Sequence, residues 1–563
     1  MSTNLIRLTI LGFGLMLAII IIGGVSTTSA DVPAQGKPPT VALPTRVGTK
    51  PPTPTATATK PGVVPQIAAT PVAPLKATVT RTPTKVAVRQ PKGLPGGSWG
   101  SGIACTNLST TEIPANGLNL KFYQQDSGTV ALDYNDPNPL AGGASRNYFT
   151  PSSPPGVPSP FLGAVVVSAP QQLACSVNTQ RVDSGVGSTS IPARIGTSKG
   201  VDGTGAATTL YAPQLFKNFS ASLWNSYIAV QNTSSTTACN VSITYKDRYG
   251  NAIAGSDTTI TPIPAQSMHI FDQQASTILP DNFLGGATIT SSGGCALAAV
   301  VNFHNGAADS QNSQFHSYNA FSGGGNKLFV PRFVRNYYGF NGGMSIQNIG
   351  GAGTTVQITF KFAGNTYTYN SATINPGAIL ALYAPNITEL GAVDSLAVGS
   401  RTGSAVIQAA TGGTVVAIIN EDNRGTCNAA SCPSIPANQI GWGSTYETFP
   451  DGVQKTVVFF TQLTRRVGSP QYSGGFQVMN TTGTDTTCNI EYSAAPAANE
   501  TGVALGANSS FFRFGPNITN LPDGYNSSAK VTCGQAAVGI GNLAARSETY
   551  YGDTMVTVNG VLQ

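Results

Sequence analysis

The sequence predicts an all-β protein made of four tandem β-sandwich domains, which follow an apolar N-terminal segment and a Pro/Thr-rich stretch. Charged residues make up 10% of the 563 residues, against about 25% in an ordinary soluble domain. The 64 Gly and 38 Pro are typical of short strands separated by turns. One strand pattern also recurs four times along the chain. This composition argues against a helical bundle, a coiled coil or a large α/β enzyme.

Residues 1–30 have the features of a secretory signal. Arg7 precedes an apolar run from Leu8 to Val25, and small residues end at Ala30, where we expect cleavage. The run is also just long enough to span a membrane, so a retained anchor is the alternative. Either interpretation places the rest of the chain outside the cytoplasm, at the cell surface.

Residues 31–83 are predicted to form a stalk. They are dominated by Pro, Thr, Ala and Val, a composition that favours polyproline II and cannot bury a core. Residues 31–95 carry nine bases and one acid, which suits either simple solvation or a position near an anionic wall polymer or membrane surface. The formal net charge of +6 arises here, because residues 96–563 hold 20 bases and 23 acids. No basic stripe with aromatics occurs there, so nucleic acid is not an expected partner.

The repeat is defined by a nine-residue strand that starts with an aromatic residue and ends with Asn. Apolar side chains generally stand at even places between them, so they share one face of the strand with both ends. We therefore predict that the aromatics and the asparagines belong to the core. The four copies are Trp99–Asn107, Trp224–Asn232, Phe340–Asn348 and Tyr472–Asn480.

The spacing of this strand fits one sandwich per copy. Its Asn recurs at steps of 125, 116 and 132 residues, which matches an Ig-like sandwich of roughly 100 residues plus loops. A last apolar run also ends in Asn in each copy, at Asn178, Asn302, Asn420 and Asn542. The domains are predicted at 84–206 (repeat 1), 207–325 (repeat 2), 326–454 (repeat 3) and 455–563 (repeat 4). Repeat 1 begins within the apparent linker, because the first strand of the other repeats corresponds to a place near Val86.

Eight cysteines fall two to a repeat, which predicts one disulfide within each domain of an exported chain. A metal site is not expected, because no His lies at ligand spacing from them. The predicted pairs are Cys105 with Cys175, Cys239 with Cys295, Cys427 with Cys432, and Cys488 with Cys533.

The sequence predicts no catalytic constellation and no cofactor. The three histidines all lie in repeat 2, and no Gly-x-Ser-x-Gly, His-Glu-x-x-His or P-loop pattern accompanies them. The acidic loops Asp133–Asn138 and Glu421–Asn423 suit either Ca²⁺ or simple Asx turns, and we expect turns.

Two kinds of interaction surface remain open. The motif aromatics are alternatively sugar-stacking platforms, although their place on the apolar face favours core. The segment Arg332–Phe340 is richer in Arg and aromatics than its counterparts. The candidate surface there consists of Arg332, Arg335, Tyr337 and Tyr338.

The strand Trp224–Asn232, the Leu279-Pro280 turn and the strand Gly286–Ser291 resemble repeats in uncharacterised exported bacterial surface proteins. The resemblance covers about residues 84–563 and implies a cell-surface role without an active site. The leading hypothesis is a non-enzymatic adhesin, envelope-layer or filament component. Its expected partners are other surface proteins, copies of itself or surface glycans. The alternatives are a carbohydrate-binding array and, behind it, an extracellular hydrolase.

Overall fold

The computed structural model describes residues 93–183, 192–203, 205–306, 313–423, 441–468, 471–545 and 552–563. Antiparallel strands dominate these residues, and the helices among them are short 3₁₀ turns. The predicted all-β class with tandem sandwiches is confirmed. No helix within the described ranges is both long and apolar enough to cross a membrane. The predicted signal and stalk lie outside these ranges.

Repeat 1 forms two sheets in its described part. Their strand orders are β3-β2-β5 and β4-β1-β6-β7. The strands are β1 (Trp99–Asn107), β2 (Asn119–Gln124), β3 (Val130–Asn135), β4 (Ser145–Phe149), β5 (Gly163–Ser168), β6 (Leu173–Arg181) and β7 (Ile195–Lys199).

Repeat 2 has the same plan with one more strand at the start. Its strands are β8 (Thr209–Lys217), β9 (Asn225–Asn232), β10 (Val241–Asp247), β11 (Asp257–Thr258), β12 (Met268–Asp272), β13 (Phe283–Ser291), β14 (Leu297–His304) and β15 (Phe315–Asn319). The sheet orders are β11-β10-β13-β8 and β12-β9-β14-β15.

Repeat 3 adds 3₁₀ helices at Ala384–Asn386, Thr388–Ser395 and Val398–Ser400. Its strands are β16 (Lys327–Val334), β17 (Asn341–Asn348), β18 (Val356–Phe362), β19 (Asn365–Asn370), β20 (Ile379–Tyr383), β21 (Thr402–Ala409), β22 (Val415–Asp422), β23 (Gly443–Glu447) and β24 (Phe449–Pro450). The sheet orders are β19-β18-β21-β16-β24 and β20-β17-β22-β23.

Repeat 4 joins its two sheets through one long strand, β30, which pairs in both of them. Its strands are β25 (Lys455–Arg465), β26 (Tyr472–Asn480), β27 (Thr486–Tyr492), β28 (Glu500–Leu505), β29 (Ser510–Phe514), β30 (Tyr525–Ala545), β31 (Val556–Asn559) and β32 (Val561–Leu562). Short 3₁₀ turns cover Pro496–Ala498 and Gly515–Asn517.

Each sandwich therefore has a motif sheet, which contains β1, β9, β17 or β26, and an opposite sheet, which contains β2, β10, β18 or β27. The core lies between the two because the strands alternate in burial. In β10, for example, Val241, Ile243 and Tyr245 are buried while Thr244 is exposed, as period-two geometry requires.

The four sandwiches pack against one another in cyclic order. The first strand of each of repeats 2, 3 and 4 contacts strands of the next repeat. Strand β8 of repeat 2 contacts β17 and β22 of repeat 3, and β16 of repeat 3 contacts β26 and β30 of repeat 4. Strand β25 of repeat 4 contacts β1 and β6 of repeat 1. Backbone and hydroxyl bonds follow the same order, and they include the step from repeat 1 to repeat 2. They are Asp126 N to Met268 O (3.0 Å), Ile379 N to Arg248 O (3.0 Å), Ser404 Oγ to Asn508 O (2.8 Å) and Ser493 Oγ to Gly143 O (2.7 Å). The tandem order in sequence thus becomes a closed cycle of contacts.

Candidate functional site: the contacts that join the repeats

The four motif asparagines are fully buried and act as clamps on the loop that follows the motif strand. Asn232 Nδ2 donates to Thr237 O (2.7 Å) and Ile263 O (3.0 Å), and its Oδ1 accepts from Ser234 N (3.0 Å). Equivalent bonds are made by Asn107, Asn348 and Asn480. Three backbone groups per repeat thus find a partner in one buried side chain, so this Asn has a structural role.

The motif aromatics are placed less uniformly than predicted. Trp224 is buried among Phe216 and Phe303, whereas Trp99, Phe340 and Tyr472 are half-buried. Trp99 packs across a repeat boundary, with its ring 4.9 Å from that of Phe315. Tyr472 of repeat 4 likewise packs with Ile195 of repeat 1.

The first strand of repeats 2, 3 and 4 carries a β-bulge, which leaves two of its residues outside the regular pairing with the adjacent strand. Ala212 pairs with Ala287 and Leu215 with Gly285, so two residues of β8 oppose one of β13. The same irregularity occurs in β16 and β25. The bulged pairs are Pro213-Gln214, Pro331-Arg332 and Thr461-Gln462.

Side chains at these bulges contact the next repeat. Gln214 Oε1 accepts from Ser345 Oγ (2.6 Å) and from Asn420 Nδ2 (3.0 Å) of repeat 3. Gln462 Oε1 accepts from Asn178 Nδ2 of repeat 1 (3.3 Å). Two of the four asparagines that end the last apolar run, Asn178 and Asn420, therefore make contacts between repeats.

Arg332 occupies the equivalent bulge position in repeat 3. It was predicted to belong to an interaction surface, and the structure shows that this prediction is wrong. It is buried and bonds bidentately to Glu421, at 2.7 and 2.6 Å. Its Nη1 also donates to Gln477 Oε1 of repeat 4 (3.3 Å). Burial acts to lower the pKa of Arg332, but the Glu421 carboxylate outweighs it and raises that pKa.

The rest of that candidate surface is also largely structural. Arg335 is buried, and its Nη2 donates to Asp394 Oδ2 at 2.8 Å. Burial acts to raise the pKa of Asp394, but hydrogen bonds from Arg335 and Asn336 lower it overall. Tyr337 is half-buried with the Arg332 guanidinium 5.1 Å above its ring, and Tyr338 is 42% exposed. The two arginines of the predicted interaction surface are therefore buried in contacts within the fold.

Four strands, one from each repeat, meet at a common junction. β7 contacts β15, β15 contacts β23, β23 contacts β31, and β31 contacts β7. In three of them a hydroxyl bonds the last-run Asn of its own repeat: Ser317 to Asn302 (2.6 Å), Thr445 to Asn420 (2.6 Å) and Thr197 to Asn178. The gap between the strands is too narrow to admit a water molecule. The junction is therefore a packed contact rather than a binding cavity.

One end of the junction is held by Asp553, whose side chain is fully buried. Its carboxyl oxygens accept from Gly443 N (3.1 Å) of repeat 3 and Phe315 N (3.4 Å) of repeat 2. Its own N–H donates to Ala193 O (2.9 Å) of repeat 1. Burial raises the pKa of Asp553 well above its usual range, although these N–H groups and the Arg194 charge oppose the rise.

The other end carries a second set of equivalent positions. Asn319 Nδ2 donates to Lys199 O (2.9 Å), and Asn559 Nδ2 donates to Glu447 O (2.8 Å). Lys199 Nζ lies 4.0 Å from Glu447 Oε2. Each end of the junction thus contains one residue from each of the four repeats.

The histidines and loop acids singled out from the sequence are engaged in similar contacts. His316 Nδ1 lies 2.9 Å from Thr445 Oγ1, and His269 Nδ1 lies 2.6 Å from Asp126 Oδ1 of repeat 1. His304 is buried, and burial together with Arg194 lowers its pKa to about 3. Asp133 pairs with Lys121 at 2.8 Å. Across the described ranges, no three His, Cys, Asp or Glu side chains gather as a metal site.

Among the residues that the structure describes, two disulfides form, each within one repeat: Cys105–Cys175 and Cys488–Cys533. The structure differs at the second predicted pair, where Cys239 and Cys295 are buried free thiols. Cys488 and Cys533 are direct partners in a ladder, whereas Cys239 precedes β10 and Cys295 lies between β13 and β14. Burial, with a smaller contribution from Cys295, raises the pKa of Cys239 to about 12. Cys427 and Cys432 lie outside the described residues.

Comparison with known proteins gives little further guidance. No protein-family model and no curated protein matches this chain. One similar solved structure is a tetra-tandem repeat from the extending region of a large adhesion protein. It is 14% identical with a TM-score of 0.10, over 81% of this chain and 94% of that one. Another is the full-length major pilin RrgB of Streptococcus pneumoniae, 8% identical with a TM-score of 0.09, over 82% and 88%. At such scores neither likeness bears on the role of this chain.

Proposed function

We propose that this chain is a non-enzymatic extracellular surface protein. Its four-repeat head, residues 84–563, is carried on the Pro/Thr-rich stalk and serves as an adhesin, envelope-layer or filament component. The observation that carries this proposal is that buried polar side chains form hydrogen bonds between repeats. Arg332, Gln214 and Asp553 are buried and make hydrogen bonds to another repeat, which suits a rigid display platform.

The arrangement also restricts how copies of the head assemble. The contact between an opposite sheet and the next motif sheet is heterologous, and such contacts give filaments when open and rings when they close. Here repeat 4 docks on repeat 1, so the repeat-to-repeat surfaces are used within one molecule. Ordered arrays would therefore form through other faces, such as the one that bears Tyr249, which is 60% exposed.

Localisation is tested on intact cells by protease treatment followed by thiol labelling of the isolated chain. If the protein lies at the cell surface, protease added to intact cells cleaves the head from the cell. Cys105, Cys175, Cys488 and Cys533 then take no thiol label before reduction. In an oxidising envelope, Cys239 and Cys295 also close, passing two electrons to the disulfide-forming oxidant there. A protected head whose four paired cysteines label freely would refute the proposed location.

The role is tested by glycan-array binding alongside negative-stain microscopy of the full chain. Ordered arrays or cell binding without glycan binding support the proposal. Glycan binding that is lost in Tyr249→Ala or Tyr338→Ala, with folding retained, favours the carbohydrate-binding alternative instead. Tyr367→Ala is the control for loss of a tyrosine ring that is not exposed, because Tyr367 is half-buried and packs against the core of repeat 3.

A further inference from the structure

One outer strand of the opposite sheets is more open to pairing than its three counterparts. The sheet order of each repeat ends at β3, β11, β19 or β28, so within the described residues each of these strands pairs on one side only. Such an edge presents unpaired N–H and C=O groups to any extended segment that reaches it. Proteins ordinarily protect these edges with bulges, charged side chains or very short strands.

Three of the four edges carry such protection. Strand β3 has an irregular register with β2 and bears Asp133, which pairs with Lys121. Strand β11 is only two residues long. Strand β28 has an irregular register with β27 and begins with the charged Glu500. Each of these features disfavours the addition of another strand.

Strand β19 (Asn365–Asn370) has none of these features. Its six residues pair with β18 without a register shift, and none of them is charged, Pro or Gly. The even-numbered residues are exposed, whereas Tyr367 and Tyr369 are half-buried against the core of repeat 3. Strand β19 is therefore the least protected of the four edges.

The turn that joins β18 to β19 determines which backbone groups face the open edge. Ala363 and Gly364 form a two-residue turn with positive φ at both positions (48° and 82°), so the residues that flank it exchange the hydrogen bonds that close the hairpin. Bonding to β18 then falls on the odd-numbered residues of β19. The N–H and C=O groups of Thr366, Thr368 and Asn370 consequently point away from β18. In the described part of the chain, no backbone group outside the sheet bonds them.

A second copy of β19 is the segment that matches this edge. Antiparallel pairing about a two-fold axis at Thr368 places Thr368 opposite Thr368 and Thr366 opposite Asn370, so the outward N–H and C=O groups of the two strands bond one another. On the other face, Tyr367 of one copy lies opposite Tyr369 of the other. Aromatic pairs and Thr–Thr pairs both stabilise a ladder. The uncharged strand also brings no like charges together.

We propose that two heads pair through β19, which joins their five-stranded opposite sheets of repeat 3 into one continuous antiparallel sheet. The contact is isologous, so it stops at two heads, and a larger array needs a further surface. Only residues 366–370 of each copy take part, against roughly 20–30 residues a side in a standard interface. The pair is therefore weak in solution and gains from heads that are held close together at one surface. Its biological use rests on the role proposed above, whereas its existence does not.

The register is tested by single-cysteine cross-linking of the full chain under mild oxidation. Thr368→Cys brings two introduced thiols together at the two-fold axis. Thr366→Cys, on the same exposed face of the same strand, is the matched control, because its two copies lie about 14 Å apart along the paired strands. We expect at least about tenfold more covalent dimer through residue 368 than through residue 366, because a disulfide requires Cα atoms within about 7 Å. The linked peptides are identified by mass spectrometry without reduction.

Two outcomes of the cross-linking overturn the proposal. Equal cross-linking in the two variants means that the thiols meet by random collision. No covalent dimer in Thr368→Cys means that these edges do not meet.

Sedimentation of the full chain over a concentration series measures the pairing without cross-linking. Thr368→Lys places two like charges against each other at the two-fold axis and should raise the dissociation constant of the dimer at least about tenfold. Gln357→Lys adds the same charge at an exposed position on β18 and is the matched control. It should leave the constant within about twofold, because charges beyond a Debye length are screened.

A chain that stays monomeric up to about 1 mM, or a dimer that Thr368→Lys leaves unchanged, overturns the proposal. The surface location and the glycan-array result of the proposed function do not depend on either outcome, so the two failures are distinguishable.

Discussion

Replacing the clamp asparagine of repeat 3 by alanine tests the interpretation of the repeat motif most directly. Asn348 is fully buried, donates to Ala352 O (2.8 Å) and Ile374 O (2.9 Å), and accepts from Gly350 N (2.9 Å). Asn348→Ala removes the side-chain partner of these three groups, although Ile374 O keeps its bond from Thr354 N (3.0 Å) and Ala352 stands at an exposed position that water reaches. A buried polar group left unsatisfied costs about 1–3 kcal/mol. We expect a loss of about 1–3 kcal/mol in the free energy of unfolding, because the other groups find water or a backbone partner.

The assay is urea unfolding of the full chain, with local hydrogen exchange at Gly350 as a second readout. Asn365→Ala, at an exposed position on β19, is the matched control and should change stability by less than about 0.5 kcal/mol. Asn348→Asp keeps an acceptor for Gly350 N but places carboxylate oxygen against two carbonyls, so it should be at least as damaging as alanine. A loss under about 1 kcal/mol in Asn348→Ala, or a wild-type-like Asn348→Asp, would refute the clamp.

Three further predictions concern contacts within and between repeats. Arg332→Ala should lower the free energy of unfolding in urea by about 3–5 kcal/mol because it leaves Glu421 buried and unpaired. A loss under about 1 kcal/mol, as expected of an exposed ion pair, would contradict this. Cys488→Ala with Cys533→Ala should cost about 4 kcal/mol, from loop-closure entropy over 45 residues, and a thermal midpoint equal to wild type would contradict it. The raised pKa of Asp553 means that the folded state binds the proton more tightly, so its contribution to stability falls as pH rises from about 4 towards neutrality. Asp553→Asn should therefore gain on wild type between pH 4 and pH 7, whereas a constant difference would show that the carboxyl is ionised when folded.

The fold class could be predicted because it depends on local pattern. Alternation along the motif strands, turn residues and the repeat period each report on a sandwich without knowledge of its neighbours. The pairing of Cys105 with Cys175 followed from the presence of two cysteines in each repeat, and it forms between register partners. The motif Asn was recognised as a marker, but its hydrogen bonds depend on a loop whose path the pattern does not encode.

The contacts between repeats could not be predicted in the same way. Arg332 was taken for a surface residue because its segment is rich in Arg and aromatics. Its partners are Glu421, 89 residues away in the other sheet of repeat 3, and Gln477 of repeat 4. Two signals in the sequence pointed to the true role. Pro213-Gln214 and Pro331-Arg332 stand at the same place in two repeats, and the last-run Asn recurs in all four. Both patterns were visible as repeated residues in the sequence. Only the packing of one sandwich on the next shows that these residues make contacts between repeats.

The low charge of the body follows from this packing. A chain of separate domains exposes most of each sandwich, and its faces carry charge for solubility. Here each sandwich covers part of the next, and the covered positions favour uncharged hydrogen-bonding side chains such as Ser345, Gln214 and Asn420. Where charge is buried it is paired, as in Arg332 with Glu421, because an isolated buried charge is costly. Composition that first indicated many turns thus also reflects four sandwiches that bury parts of their surfaces against one another.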